Sequence, residues 1–253
     1  FKKIMVSLIE AVILSIIQGI TEWFPVSSSG HLALMQQFFG FQNLSYDVFL
    51  HFAGIFAVLF VFKREVLKLL SFNKVSLKYI GLLILALIPA GFAGFLLSDW
   101  IENLFSNMTY LGIFFIVSGL VVYSSKFSIE RKSDISNKDA WFIGLLQALA
   151  ILPGISRSGM TISAGLFKGI SKRAAIRFSF LMSIPLILGA SVLKTKDLIV
   201  SNIDISILII SFIITFLVSL ITIKLLIRII KSDKFYLFGI YNILLGIVVL
   251  IIS

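Results

Sequence analysis

The first stretch able to do chemistry, IIQGITEWFPVSSSGHLAL at residues 16–34, sets polar side chains among apolar ones. Gln18 and Glu22 are four residues apart, so they share one face of a helix. Two oxygen ligands on one face, beside a phosphate, suit Mg²⁺ or Ca²⁺, because these cations take few protein carboxylates and share phosphate oxygens. His31 follows Ser27 by four residues and could act as a general acid or base, or orient that hydroxyl.

A second stretch, LLQALAILPGISRSGMTIS at residues 145–163, places Arg157 in a segment of membrane-embedded character. Placing an arginine in a bilayer costs about 2.5–3.5 kcal/mol on insertion scales, so such residues are paired and functional by default. Free backbone N–H groups, a helix N-terminus and a guanidinium fork together suit a phosphate group. The predicted phosphate-binding residues are Ser28, Ser29, Gly30, Gly154, Ser156, Ser158, Gly159 and Thr161. Two other interpretations place Arg157 in a shallow cytoplasmic loop, or make it simply the partner of Glu22.

Asp47 and His51 are also four residues apart, at the outer end of an apolar run. Support of the site from behind is one interpretation of this pair, and helix capping and packing is the other. Both interpretations fit the spacing.

The composition is that of a membrane protein. Of 253 residues, 59% are hydrophobic and 13% are charged, whereas soluble domains carry about 25% charged residues. Continuous apolar runs that contain Gly and Pro predict helices rather than the alternating strands of a barrel. The chain has no cysteine and two histidines, which excludes thiol chemistry and disfavours a zinc site. Its net charge of +10 indicates basic cytoplasmic loops and no nucleic-acid partner.

Six apolar segments have about the 20 residues that a helix needs to cross a bilayer. They are residues 46–62, 79–98, 109–125, 174–193, 205–223 and 235–252. Residues 4–39 and 140–170 are apolar too, but FPVSSSGH and LPGISRSG interrupt them. Irregular backbone at membrane depth is tolerated where protein buries it, so each is predicted to enter and return on one side. The predicted fold is an all-α integral membrane protein with six transmembrane helices and two re-entrant helix–loop–helix hairpins.

Basic residues predict the orientation in the cytoplasmic membrane. Five lie in residues 63–78 and four in each of residues 126–139, 168–177 and 224–234, against Lys2, Lys3, Lys194 and Lys196 on the opposite side. The positive-inside rule makes the larger group cytoplasmic and puts both termini outside. The first hairpin then enters from outside and the second from the cytoplasm. A signal peptide at the N-terminus is disfavoured, because Glu10 interrupts the apolar run and no small-residue cleavage site follows.

The two interrupted stretches align at an offset of 129 residues, which pairs Gln18 with Gln147, Ser27 with Ser156, Ser29 with Ser158 and Gly30 with Gly159. Each half, approximately residues 1–125 and 140–253, holds one hairpin and three spans. An odd number of spans inverts one half relative to the other, so a single membrane domain of two inverted repeats is predicted. Transporters use the same pattern, so a transporter that binds its ligand between the two halves is one function that the repeats allow.

The motifs Q-x-x-x-E-x-x-P-V-S-S-S-G-H and P-G-x-S-R-S-G-x-T resemble the two signature motifs of undecaprenyl-pyrophosphate phosphatases of the bacitracin-resistance type. The likeness extends to DVFLHFAGIFAVLFVF and to the pattern of spans, so it covers essentially the whole chain. It implies hydrolysis of a polyprenyl pyrophosphate lipid to the monophosphate and inorganic phosphate, which recycles the lipid carrier of cell-wall synthesis. It also implies dependence on a divalent metal.

By motif position, the resemblance makes Glu22, Ser27, His31 and Arg157 the catalytic group and Gln18, Ser156, Ser158 and Thr161 supporting residues. The family's first signature position holds Glu or Gln. Here it is Gln18, which brings no charge, so Glu22 would contribute most of the metal binding. The nucleophile is either Ser27, assisted by His31, or a metal-activated water. Since Glu22 and His31 lie on the outer hairpin, reaction at the outer face is expected; lipid chain length, the metal and the oligomeric state stay open.

Other classes of protein fit these residues less well. Lipid phosphatases related to vanadium haloperoxidases share SGH and SR, but they need a histidine downstream of SR, and none follows His51. The alternative function is a polyprenyl-phosphate flippase or transporter that uses the same phosphate-binding centre without chemistry. Glu22 and His31 beside Ser27 count against it, because binding alone needs no acid and base. A purely structural membrane protein leaves Arg157 without a role.

Overall fold

A computed structural model describes residues 6–105, 107–200 and 203–253, and most of these residues are helical. The α-helices are α1 (Leu8–Thr21), α2 (Ser28–Phe39), α3 (Leu44–Val61), α4 (Lys63–Leu69), α5 (Lys74–Leu104), α6 (Met108–Ser124), α7 (Asn137–Leu149), α8 (Arg157–Phe167), α9 (Lys172–Val200), α10 (Ile205–Lys231) and α11 (Leu237–Ile252). A short 3₁₀ helix, Ser125–Phe127, follows α6. Lys2 and Lys3, which the charge pattern puts outside the membrane, lie beyond the described residues.

The apolar segments predicted to span the membrane are all helical. Five windows are long and apolar enough to cross a bilayer, at residues 44–61, 74–97, 108–127, 172–196 and 205–231. The sixth predicted span, residues 235–252, corresponds to α11, an apolar helix of 16 residues. The prediction of an all-helical, multi-pass membrane protein is therefore confirmed.

Both interrupted stretches fold as two helices separated by an irregular break. Residues 22–27 separate α1 from α2, and residues 150–156 separate α7 from α8. Pro25 and Pro153 lie within these breaks, where their missing N–H groups and fixed φ disfavour a continued helix. We name residues 22–27 the first break and residues 150–156 the second break. A proline is a local cause that the two breaks share.

The helices that lead into the breaks start in the same way. Ser7 and Glu10 form a capping box at the start of α1, and Ser136 and Asp139 form one at the start of α7. In each box, the serine hydroxyl accepts from the backbone N–H of the acidic residue three positions later. The side chain of that acidic residue accepts from the backbone N–H of the serine. The boxes repeat at the same 129-residue offset as the motifs, so the local signals of the two halves match over an entire hairpin.

Packing between the halves is reciprocal. α1 packs against α10 while α7 packs against α5, and α3 packs against α9 while α6 packs against α11. The short helices after the breaks, α2 and α8, both contact α6. The long helices therefore hold the two helix starts near each other.

α6 and α11 approach closely at two glycine pairs. A Cβ on Gly119 would lie 2.7 Å from the Gly239 carbonyl oxygen, and a Cβ on Gly246 would lie 2.6 Å from the Gly112 carbonyl oxygen. Real Cβ atoms essentially never come so close, so no larger residue fits without moving a helix. Small residues at such crossings let membrane helices gain van der Waals contact.

Replacing Gly119 with leucine should force α6 away from α11 and lower the unfolding temperature in detergent by several degrees. Overpacking of this kind costs about 1–3 kcal/mol. Gly81→Leu in α5 is the matched control, because no atom lies within 4 Å of a Cβ built at Gly81. Equal unfolding temperatures for the two variants would contradict a tight crossing of α6 and α11.

Candidate active site

The second break contacts the start of α2, and the first break contacts the start of α8. A Cβ on Gly30 would lie 3.0 Å from Gly154 Cα and 2.5 Å from Phe115 Cζ. Gly154 has a φ of +95°, which residues with a side chain rarely adopt. The Ser158 hydroxyl donates across the same contact to the Phe24 carbonyl oxygen, at 3.2 Å. Glycine at both positions therefore lets the starts of α2 and α8 meet.

Each helix start is capped by the serine that precedes it. Ser27 Oγ accepts from the Gly30 N–H at 3.3 Å, and Ser156 Oγ accepts from the Gly159 N–H at 3.0 Å. Each capping hydroxyl also lies 3.3 Å from the hydroxyl of the serine two residues later. Ser27 differs in its backbone, since its φ of 68° is strained for a residue with a side chain. Strain of this kind concentrates at active sites and ligand clamps.

A buried ion pair joins the first break to the start of α8. Arg157, the first residue of α8, places Nη2 2.5 Å from Oε1 of Glu22, which follows the last residue of α1. Only 12% of the Arg157 side chain and 5% of the Glu22 side chain are exposed. Arg157 is therefore shielded from solvent, and the contact matches the interpretation that pairs it with Glu22.

Three more side chains hold the second carboxylate oxygen of Glu22. Ser28 donates its hydroxyl to Oε2 at 2.5 Å, Gln18 Nε2 donates at 3.2 Å, and His51 Nε2 lies 3.1 Å away. The His51 ring is oriented by its Nδ1, which donates to the Asp47 carbonyl oxygen at 2.6 Å. His51 therefore contacts Glu22 directly, whereas the Asp47 carboxylate accepts from Gln36 Nε2 at 2.5 Å and only the backbone of Asp47 orients the histidine.

The charges around Glu22 decide its ionisation. Burial by itself disfavours the charged carboxylate, but His51 and Arg157, with the Ser28 hydroxyl, outweigh that effect. Together they hold the pKa of Glu22 well below its ordinary range. Glu22 is therefore an anion at neutral pH and matches the guanidinium charge.

His31 lies in the first turns of α2, and its ring bonds to the backbone of Ser27 rather than to its hydroxyl. Nδ1 is 2.7 Å from the Ser27 carbonyl oxygen, which can only accept, so Nδ1 carries the proton. Nε2 then accepts from the Tyr241 hydroxyl at 2.8 Å, and the two rings stack at 5.8 Å. Burial lowers the pKa of the His31 imidazole, so the ring is neutral at neutral pH.

Tyr241 and its neighbour Asn242 were missed by the sequence reasoning. Tyr241 contacts His31 in α2, and Asn242 Nδ2 donates to the Pro25 carbonyl oxygen at 2.8 Å, so α11 contacts both the first break and the helix that follows it. Two adjacent polar residues inside the apolar run of residues 235–252 were the available signal.

Arg157 is also supported from behind. Its Cζ lies 5.7 Å from the Trp23 ring centroid, and Trp23 packs edge-to-face on Phe180 at 5.4 Å. The Thr161 hydroxyl donates to the Arg157 carbonyl oxygen at 2.8 Å and lies 2.6 Å from the Ser179 hydroxyl of α9. The hydroxyl of Thr161, which was predicted to bind phosphate, therefore links α8 to α9 in the structure. The other predicted phosphate ligands lie in the second break or in the first turns of α2 and α8.

Several polar atoms at the site are buried without a hydrogen-bond partner among the described residues. They include Arg157 Nη1, Gln18 Oε1 and both side-chain polar atoms of Gln147. A buried polar group left unpaired costs about 1–3 kcal/mol. Arg157 Nη1 is thus a donor available to an anion, and Gln18 Oε1 is an oxygen available to a cation.

The predicted metal ligands form a small set of oxygens. Gln18 Oε1 has no partner in the part of the chain that the structure describes, while both oxygens of Glu22 accept from neighbours. The same part of the chain holds no group of three or more His, Cys, Asp or Glu side chains placed for a metal. Such a set fits a cation that keeps water and phosphate as most of its ligands, as Mg²⁺ does.

Comparison with known proteins covers both breaks. The family model described as bacitracin resistance protein BacA matches residues 11–248. Proteins named undecaprenyl-diphosphatase from Methanosphaera stadtmanae, Carboxydothermus hydrogenoformans and Methanococcus maripaludis are 34%, 37% and 40% identical to the chain. These alignments cover 98%, 96% and 92% of this chain and 99%, 97% and 95% of those proteins.

Glu22→Ala should lower the unfolding temperature in detergent strongly, because Arg157 would keep a buried charge without a partner. Removing one member of a buried pair costs about 3–5 kcal/mol. Arg157→Ala in the same background removes the stranded charge, so the double variant should lose less stability than the two single variants summed. Glu130→Ala is the control, since Glu130 pairs with Lys172 while 42% exposed, and surface pairs contribute about 0–1 kcal/mol. Additive losses in the double variant would contradict a coupled pair.

Proposed function

Since the chain belongs to the family of the bacitracin resistance protein BacA, we propose that it hydrolyses undecaprenyl pyrophosphate to undecaprenyl monophosphate and inorganic phosphate. The relatives named undecaprenyl-diphosphatase match it over nearly their whole length. The observation that carries the proposal is the buried Arg157, which pairs with Glu22 through Nη2 and keeps Nη1 unpaired among the described residues. The reaction returns the lipid carrier of cell-wall synthesis to its monophosphate form.

The starts of α2 and α8 supply the phosphate-binding surface. Both helices begin where the two hairpins meet, so both helix dipoles place their positive ends there. Arg157 adds a full charge and a planar fork that matches phosphate oxygens. Glu22 holds Arg157 and Ser28 in place through its two oxygens, and a pyrophosphate would compete with it for the same donors.

Hydrolysis breaks the bond between the bridging oxygen and the terminal phosphorus. An oxygen nucleophile, from Ser27 or from water, bonds to that phosphorus, and the lipid monophosphate leaves with the bridging oxygen. Negative charge spreads over the transferred group, where Arg157 and the backbone N–H groups stabilise it. The neutral His31 takes the proton of the attacking hydroxyl or water at Nε2 when its bond from Tyr241 opens. If Ser27 is the nucleophile, water then attacks the phosphoserine, which releases inorganic phosphate and returns the serine hydroxyl. A trapped phosphoserine would identify Ser27, whereas transfer of solvent ¹⁸O without an adduct would identify water.

We also propose a divalent cation, Mg²⁺ or Ca²⁺, as cofactor, with Glu22 and Gln18 as its protein ligands. When bound, such a cation neutralises phosphate charge and polarises a phosphoryl oxygen. Glu22 provides the carboxylate, and Gln18 provides the buried Oε1 that has no partner in the described structure.

The reciprocal packing supports the proposed topology of six transmembrane helices and two re-entrant hairpins in two inverted repeats. If α1 corresponds to α7 and α5 corresponds to α10, then the contact of α1 with α10 has the contact of α7 with α5 as its counterpart. The distribution of basic residues then supports both termini outside, and a site that opens to the outer face because Glu22 and His31 lie on the outer hairpin.

Purified protein in detergent should release inorganic phosphate from undecaprenyl pyrophosphate with Mg²⁺ present, and a chelator should abolish the release. Arg157→Ala should lower kcat at least about a hundredfold, as loss of a donor to the transition state does. Arg177→Ala is the control. Arg177 also carries a guanidinium, but it lies on α9, stacks on the Tyr79 ring and is in neither break. Retained binding of the pyrophosphate lipid with no phosphate release would overturn hydrolysis and promote the flippase.

Single cysteines can test the topology, since the chain has none of its own. Gln42→Cys and Lys196→Cys should react with an impermeant maleimide in intact spheroplasts. Asn73→Cys and Ser133→Cys should react only after the membrane is opened, because their loops belong to the basic side. Labelling of Asn73→Cys from outside would invert the proposed orientation.

A further inference from the structure

A basic pocket lies at the end of the bundle that carries the basic loops. It has a volume of ≈ 610 Å³ and is formed by the end of α6, the start of α7 and the end of α8. α8 begins at Arg157 and ends at Phe167, so about 16 Å of helix separates the pocket from the ion pair of the candidate active site. We infer that this pocket binds a phosphate-bearing anion, with the headgroup of an anionic membrane lipid as its source.

The pocket carries an excess of positive charge. Four basic residues line it, namely Arg131, Lys132, Lys138 and Lys168. Asp139 pairs with Lys132 at 2.5 Å, whereas the other three form no ion pair with a residue that the structure describes. Three like charges around one concavity repel one another, and an anion placed between them removes that repulsion.

Backbone hydrogen bonds fix the two walls that carry these charges. The N–H groups of Arg131 and Lys132 donate to the Gly169 carbonyl oxygen at 2.8 and 3.0 Å, and the Ser171 N–H donates to the Lys132 carbonyl oxygen at 2.8 Å. The segment with Arg131 is thus held against the end of α8, next to Lys168. The cations therefore stand on a formed surface rather than on a free tail.

Apolar residues at the pocket point to a lipid as the source of the phosphate. Phe127 and Ile129 line it while 73% and 67% exposed. The candidate span of residues 108–127 ends at Phe127, so the pocket lies where an apolar helix passes into a basic loop. A lipid satisfies both surfaces, because its phosphate meets the cations while its acyl chains cover the exposed apolar side chains. Basic pockets between membrane helices at this level suit phosphate headgroups.

The first repeat has the same turn without the charge. At the 129-residue offset, Gly40 corresponds to Gly169 and Phe39 to Lys168. Gly40 and Gly169 have φ values of 77° and 71°, so the backbone turn is shared. A cation at position 168 is therefore not needed to form the turn.

The test compares lipid retention by native mass spectrometry for four proteins in neutral detergent. The first three are the unaltered chain, Arg131→Glu/Lys168→Glu in the pocket, and Lys74→Glu/Lys78→Glu as a control with the same change of charge on exposed residues of the basic end. Each is titrated with phosphatidylglycerol, with phosphatidylcholine, and with inorganic phosphate. Lys138→Glu is a second pocket variant that should fold, because an acid in the first turn of α7 suits the helix dipole.

The pocket variants should bind phosphatidylglycerol roughly tenfold more weakly or worse, while the control binds as the unaltered chain does. Retention of phosphatidylcholine by the unaltered chain at the same level would overturn recognition of an anion. Equal losses in the control and the pocket variants would overturn the site, because diffuse charge would then explain the binding. Inorganic phosphate that displaces phosphatidylglycerol from the unaltered chain but shifts nothing in the pocket variants would support the site and assign it to a soluble phosphate.

Discussion

The ion pair between Glu22 and Arg157 is the contact on which the rest of the site depends. It joins the end of α1 to the start of α8, and both side chains are almost fully buried. A buried pair is favourable only when hydrogen bonds satisfy the remaining polar groups. Ser28, Gln18 and His51 meet that need at the second oxygen of Glu22. Arg157 Nη1 keeps no hydrogen-bond partner among the described residues, and it is the donor that a phosphate would use.

Two helix starts face each other at this pair because the chain repeats a hairpin. The repeats share their serine caps, their glycines and the capping boxes at Ser7 and Ser136. The charged residues break that symmetry. At the 129-residue offset, Glu22 corresponds to Ile151 and Arg157 to Ser28. The symmetric parts build a surface of helix N-termini, and the asymmetric parts give that surface its chemistry.

The surrounding helices give the site its rigidity. α6 and α11 meet through paired glycines, and α11 then places Tyr241 against His31 and Asn242 against the first break. Trp23 ties the guanidinium of Arg157 to Phe180 and so to the largest buried cluster. Catalysis of phosphoryl transfer rests mainly on positioning and fixed charge, so a rigid frame of this kind suits the proposed reaction.

The sequence alone determined which segments are apolar helices and where two of them break, since apolar run length, proline and serine act locally. It also marked Arg157, because an arginine flanked by apolar residues needs a partner wherever the chain folds. Only the tertiary structure decided that His51 and Ser28 contact the second carboxylate oxygen of Glu22. It also decided that the Tyr241 hydroxyl donates to Nε2 of His31, and that the Thr161 hydroxyl contacts Ser179 of α9. The contacts of His51 and Tyr241 join helices that are separated in the chain, so no local spacing encodes them. Ser28 and Thr161 have partners nearer in sequence, but only the fold determines which polar group each hydroxyl meets. The basic pocket has the same origin: its charges look like ordinary cytoplasmic loops in sequence, and they converge only because the backbone of residues 131–132 pairs with residues 169–171.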